Sequence, residues 1–317
     1  MGIYLAGEVI RRNRESMGIT QEELCDGICS VETLSRIENG KNTPSRANFE
    51  ALMGRMGKEG KKYLPFLKSR EMGVFLLTEE VVLFLSVHDY KRMEQKLTEL
   101  EQRLDMTEPV NRQYMIRMRA MVDRRLGRIS AKEQRERLEE ALNCTLPDFS
   151  EEVLKKGMLN EQEIRILCNI AMAYMEEEEY RQSIDILKML YKYLESIHME
   201  SKTRILRLVL SNLDHVLGRS GELRKSQKIG KKALDLAKDE GNAGSFVSIL
   251  YGMAYNDEES HQKKSVCLER LQQAYVLAEC TDNQYMMRHI QKHIIKVYGM
   301  EKWEIIIRHL ENYHGKE

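Results

Sequence analysis

The chain has 317 residues, 42 % of them apolar, with 50 Lys and Arg against 50 Asp and Glu. That apolar share supports a sizeable core and excludes global disorder, while zero net charge excludes a chain that binds polyanions over its whole surface. Only four prolines interrupt a sequence rich in Leu, Glu, Lys, Arg and Met, so helix is favoured nearly throughout, and the length suits a small module followed by a larger one.

In chain order, the first apolar positions at helical spacing are Leu5, Val9 and Ile10, and Gly18 ends the pattern after Met17. Thr20 with Glu23 forms a capping box, so a second helix starts at Gln21 and stops before Gly27. Ser30 caps a third helix, Val31 to Glu38, which Asn39 and Gly40 terminate because both tolerate positive φ. Pro44 and Ser45 open a fourth, running to Met56. Leu24, Ile28, Leu34, Ile37, Phe49 and Leu52 are the expected core.

Two short helices joined by a glycine turn predict a helix-turn-helix, whose second helix lies in the major groove of DNA. Its outward face then carries Val31, Glu32, Thr33, Ser35 and Arg36, short polar groups plus one bidentate donor, a set suited to base edges. Residues 1–70 hold a net charge of +3 and the remainder −3, a small bias of the expected sign.

Thr20–Leu24 (TQEEL), Leu34–Lys41 (LSRIENGK) and Pro44-Ser45 resemble the XRE, or lambda-repressor-like, helix-turn-helix over residues 5–57. The resemblance implies that Gln21 grips a phosphate and that Ser30, Glu32, Thr33, Ser35 and Arg36 face the bases. It also implies that Asn39 and Lys41 clasp the backbone after the recognition helix. Glu32 departs from an all-favourable face, since a carboxylate near phosphates is repulsive unless it accepts from a cytosine amino group or pairs with a neighbouring Arg.

Residues 58–70 are basic, broken by Pro65, and read as a connector or short helix. Beyond them helices come in pairs. Thr78 is expected to cap a helix through Val81–Leu85, with Asp89-Tyr90 as the turn and Met93–Leu104 as its partner. Thr107-Glu108-Pro109 starts a helix to Leu126, Gly127 breaks it, and Ser130 with Glu133 boxes the next, to Leu142. Asn160 with Glu163 opens the clearest unit, its first helix expected to continue through Tyr180 and its second from Arg181 to Ile197. The pattern returns at Ile205–Leu217 with Leu223–Ala237, and at Val247–Tyr255 with Val266–Ala278; Gln284–Val297 and Trp303–Leu310 read as a closing pair.

These pairs resemble a tetratricopeptide-type array of roughly five units over 71–300, in which the first helix of each pair lines a concave surface. The expected fold is all-α: a lambda-repressor-like helix-turn-helix domain at 1–60, a linker at 61–70, and a right-handed α-solenoid of tetratricopeptide-like pairs at 71–317 for ligand binding and dimerisation. The combination, with Gly27–Ser30 (GICS) and Leu138–Phe149 (LEEALNCTLPDF), resembles the Rgg/PlcR (RRNPP) peptide-pheromone receptors. That resemblance implies a homodimeric regulator with a double-stranded DNA operator and a small signalling peptide as partners. Asn169 and Asn212, 43 residues apart at the same register of successive first helices, are where the family clamps a peptide backbone. A carboxamide donates and accepts together, as an extended peptide demands. Arg165 and Arg207 are candidates for an acidic group of the peptide, and Tyr174 and Tyr251 for added contacts. The alternative for each asparagine is a bond to a neighbouring helix, and for each tyrosine simple packing.

No P-loop, H-E-x-x-H or G-x-S-x-G pattern occurs, so neither an enzyme nor a cofactor is expected. Cys25, Cys29, Cys144, Cys168, Cys267 and Cys280 form no C-x-x-C pair and read as reduced thiols. His289 and His293 read as a surface pair and the acidic run Glu176–Glu179 as a solvated turn, neither as a metal site. The N-terminus lacks an apolar signal core and runs such as Val81–Leu85 are too short for a bilayer, which implies a soluble, cytoplasmic protein without a membrane partner. Two other functions share parts of this pattern: a constitutive XRE-type regulator whose repeats only dimerise or bind a protein, and a repeat scaffold with a vestigial N-terminal module.

Overall fold

A computed structural model of the chain describes residues 6–42, 44–57, 72–147, 149–150, 159–197, 202–240 and 243–314. Sixteen helices and no strand occur among them. The connector expected at 58–70 lies outside the described residues. The chain divides into two compact units, Met1–Leu85 with Asp89–Ile205, and Ser86–His88 with Leu206–Glu317.

The first unit opens with α1 (Ala6–Ser16), α2 (Gln21–Cys25), α3 (Val31–Glu38) and α4 (Arg46–Arg55). Thr20 and Glu23 close the expected capping box, and Ser30 and Ser45 accept from the third backbone N–H of their helices. Val9, Ile10, Leu24, Leu34, Ile37, Phe49, Leu52 and Met53 are buried together. Ile28, expected among them, is only half-buried, because it lies in the turn after α2 rather than on a helix face. The contact of α1 with α3 depends on Gly7: a Cβ there would stand 1.7 Å from the Ile37 carbonyl oxygen, so any other residue must push the two backbones apart.

The helix pairs of this unit are α5 (Met72–Ser86) with α6 (Tyr90–Glu101), α7 (Pro109–Arg125) with α8 (Ala131–Asn143), and α9 (Glu161–Glu176) with α10 (Tyr180–Glu195). Val74, Leu77 and Val81 pack with Met93, Leu97 and Leu100 of α6 and Tyr114, Met115 and Met118 of α7. Thr78 is not a cap. It lies inside α5 and donates its hydroxyl to the Val74 carbonyl at 2.9 Å, since the apolar run extends upstream of it and the side chain satisfies itself one turn back.

α9 ends at Glu176, short of Tyr180, because Glu178 takes a positive φ of 64° and Tyr180 begins α10. The acidic run is only partly solvated: Glu176 accepts from Arg124 at 2.6 Å and Glu177 from Arg135 at 2.9 Å. Ala171 and Ala173 allow the close approach expected of them, and Ser183 of α10 donates to the Ala171 carbonyl at 2.6 Å.

The second unit holds most of α11 (Lys202–Arg219), then α12 (Leu223–Glu240), α13 (Ala243–Glu259), α14 (Lys264–Cys280), α15 (Gln284–Tyr298) and α16 (Met300–His314). Val247, Ala254, Leu271, Ala274, Ile290, Ile294, Trp303 and Ile306 form its core. A buried polar knot ties three helices. Asp214 accepts from the Ser226 hydroxyl at 2.5 Å and from Asn256 Nδ2 at 3.2 Å, and Asn256 Nδ2 also donates to Ser226 at 2.6 Å. Burial pushes the Asp214 carboxyl up to about 6, against the pull of its two donors.

Candidate nucleic-acid interface and repeat ligand site

The α2–turn–α3 segment holds its shape through short-range bonds. Gly27 turns the chain with φ 69°, the Ser30 and Thr33 hydroxyls share a 2.8 Å bond, and Asn39 Nδ2 donates to the Ser35 carbonyl at 2.8 Å. Below this face lies Glu38, only 4 % exposed. It accepts from Arg14 Nε at 2.7 Å and Nη2 at 2.9 Å, and from Gln21 Nε2 at 2.6 Å. The bond to Glu38 outweighs desolvation and raises the Arg14 pKa. The clasp fixes α1, α2 and α3 to one another.

The predicted DNA contacts therefore fall into two groups. Gln21 has committed one Nε2 hydrogen to Glu38 and keeps the other, while Ser30, Thr33, Ser35 and Asn39 are engaged in the caps of α3. Glu32, Arg36 and Lys41 are exposed, and their side chains make no hydrogen bond or ion pair among the described residues. Val31 is also exposed. The domain touches a repeat helix of its own unit through α1, where Arg12 donates to the Ser196 carbonyl, and that contact leaves Val31, Glu32 and Arg36 open.

The predicted peptide contacts are distributed over both units. In the first, Asn169 accepts from Arg117 Nε at 2.9 Å, Arg165 pairs with Glu161 at 2.7 Å, and Tyr174 lies under the Arg135 guanidinium at 4.7 Å. In the second, Arg207 and Asn212 are half-buried on α11, and the Asn212 carboxamide makes no hydrogen bond among the described residues. The Tyr251 hydroxyl bonds His293 Nδ1 at 2.9 Å, and burial first, then Glu258, push its pKa up to about 12.

His289 and His293 are not a simple surface pair. His289 is exposed, but His293 bridges Tyr251 to Glu258, 2.8 Å from its Nε2. Sequence reasoning also missed Arg117 and Gln162. The signal for Arg117 was its place on the apolar stripe of Tyr114, Met118 and Val122 on α7, where a charge needs an explanation.

A helix-turn-helix family model matches residues 10–60. No curated protein sequence matches the chain. Among solved structures, PlcR of Bacillus thuringiensis in complex with the peptide PapR7 and DNA superposes with TM-score 0.62 at 18 % identity, covering 90 % of this chain and 98 % of that one. ComR from S. thermophilus, in complex with DNA and its signalling peptide ComS, gives 0.54 at 15 %, covering 92 % and 99 %. The apo form of ComR from Streptococcus vestibularis gives 0.53 at 13 %, covering 92 % and 97 %. Residues 10–60 therefore form a helix-turn-helix module, with helix pairs behind it. The fold of the chain is that of PlcR and ComR along nearly its whole length.

Proposed function

We propose that this protein is a sequence-specific transcription regulator that reads double-stranded DNA with α3 and is switched by a small signalling peptide held against the first helices of its repeats. The observation that carries the reading is the open face of α3. Arg36, a bidentate donor, is free at the surface of a rigidly clasped helix-turn-helix, as guanine recognition requires. The compared PlcR and ComR structures hold DNA and a peptide together on the same fold, which supports both ligands. The reading includes a cytoplasmic homodimer whose two modules meet half-sites about 34 Å apart. Peptide binding then shifts the population of module arrangements by differential affinity.

Arg36→Ala is the test of the DNA face. The side chain is exposed, so stability should change by less than about 0.5 kcal/mol, while specific binding weakens by roughly 1–3 kcal/mol and random DNA is bound nearly as before. Gel shifts on an operator selected by the wild type, set beside random duplex, measure this. An equal loss on both would remove Arg36 from base recognition.

A further inference from the structure

Glu32 puts a carboxylate on the side of α3 that meets a polyanion, and leaves it open. Its side chain is exposed and makes no hydrogen bond or ion pair among the described residues. Arg36 stands four residues on, in the order and spacing that favour an ion pair along a helix, yet it too makes none among them. One turn of α3 thus presents an acceptor and a donor held apart.

The hydroxyls around them are tied down. The Ser30 hydroxyl accepts from the Thr33 N–H at 3.2 Å and shares a 2.8 Å bond with the Thr33 hydroxyl. Ser35 accepts from Asn39 Nδ2, at 2.8 Å with its carbonyl and 3.5 Å with its hydroxyl. These three side chains hold the helix. The first two residues of α3 are left open, with Val31 39 % exposed beside Glu32, at the end of the recognition helix that reaches base edges.

A carboxylate can only accept. The donors on base edges in the major groove are the amino groups of cytosine and adenine, and adenine sets its N7 acceptor beside the amino group, where it repels a carboxylate. Cytosine carries no such acceptor. Val31 offers only methyl groups, and the apolar feature of that groove is the thymine methyl.

We propose that Val31 and Glu32 read two neighbouring pyrimidines of the half-site, a thymine by its methyl and a cytosine by its amino group. Glu32 is then a selectivity residue twice over. It gains a bond at the right base, and it repels phosphates wherever that base is absent, which lowers affinity for random duplex. This assignment rests on the reading of α3 as the DNA helix and names the bases it selects.

The test uses the full-length protein and an operator selected by it from random duplex, with each pair of a half-site then changed singly. Wild type should prefer cytosine at one position by at least about fivefold. Glu32→Gln should move that preference to adenine, whose N6 and N7 a carboxamide meets together. Glu32→Ala should erase it and hold random duplex more tightly, most of all at low salt. Uracil in place of the neighbouring thymine removes only a methyl; it should weaken wild type about fourfold and make no difference to Val31→Ser. Thr33→Val should lower the Tm while the enriched bases stay the same.

A cytosine preference that survives Glu32→Ala, or random duplex held no more tightly by that variant, overturns the role of Glu32. Uracil tolerated by wild type overturns that of Val31, and a changed base in Thr33→Val returns the hydroxyls to the reading face. Wild type that enriches a motif indifferent to both Glu32 variants removes the assignment and keeps the DNA reading; wild type that enriches none removes both.

Discussion

Glu38→Ala should unfold the helix-turn-helix domain in the native protein and abolish DNA binding, while the repeats keep their helicity. Glu38 is the only carboxylate on the buried side of α3, and Arg14 meets it with two nitrogens while itself largely enclosed. Removing one partner of such a pair leaves an uncompensated charge and costs about 3–5 kcal/mol. Gln21 loses its anchor in the same step. In hydrogen exchange, amides of α1 to α4 should lose about 10²- to 10⁴-fold protection, the same free energy in another readout. Unchanged protection there would show that the clasp contributes nothing to the domain. The variant also separates the two sides of α3: Arg36→Ala strikes the face proposed to read DNA, Glu38→Ala the side that holds the helix in place.

The second large effect is one of pH. Asp214 is buried in the Ser226–Asn256 knot and its carboxyl sits near 6 in the folded chain, against 3.8 for the free group. A raised folded pKa means that the native state holds a proton the unfolded state has released. The resulting stabilisation is fully present below about pH 4 and is lost as pH rises through 6. At pH 7 the buried carboxylate therefore costs on the order of 3 kcal/mol relative to its protonated form.

Asp214→Asn should recover most of that, because an amide oxygen still accepts from Ser226 and Asn256 while the NH2 replaces the acid O–H. Urea unfolding of wild type and variant at pH 4 and pH 7.5 checks this. The variant should be the more stable at pH 7.5, and the difference should shrink towards zero at pH 4. A constant difference across the range would mean that the carboxyl is not displaced.

Sequence reading reached as far as local chemistry reaches. The capping boxes at Thr20–Glu23, Ser130–Glu133 and Asn160–Glu163 all form, because each bond spans three residues and needs no tertiary partner. The four helices at the N-terminus follow from the same local rules plus apolar spacing. Thr78 misled for the same local reason: a threonine before an apolar stretch resembles a cap, and only the helix continuing upstream turns its hydroxyl back on Val74. The end of α9 depended on Glu178 adopting a conformation that glycine would have announced.

What the sequence withheld is long-range pairing. Register alone singles out Asn169, but its partner Arg117 lies 52 residues away, and Asn256 reaches Asp214 across 42. No periodicity encodes which polar residues on separate helices will meet. Gln21 illustrates the same gap within one domain, since its motif implies a phosphate contact while one of its donors is spent on Glu38.

Regulation by this protein requires α3 to present a base-reading face. Its most direct test is selection from a random duplex pool by the wild-type protein at physiological salt, followed by selection with Arg36→Ala. Wild type should enrich one motif, repeated with its half-sites about one helical turn apart, and the variant should show relaxed preference at a single position of each half-site. A pool that emerges unenriched, from protein that also ignores DNA at low ionic strength, would contradict a base-reading role for α3.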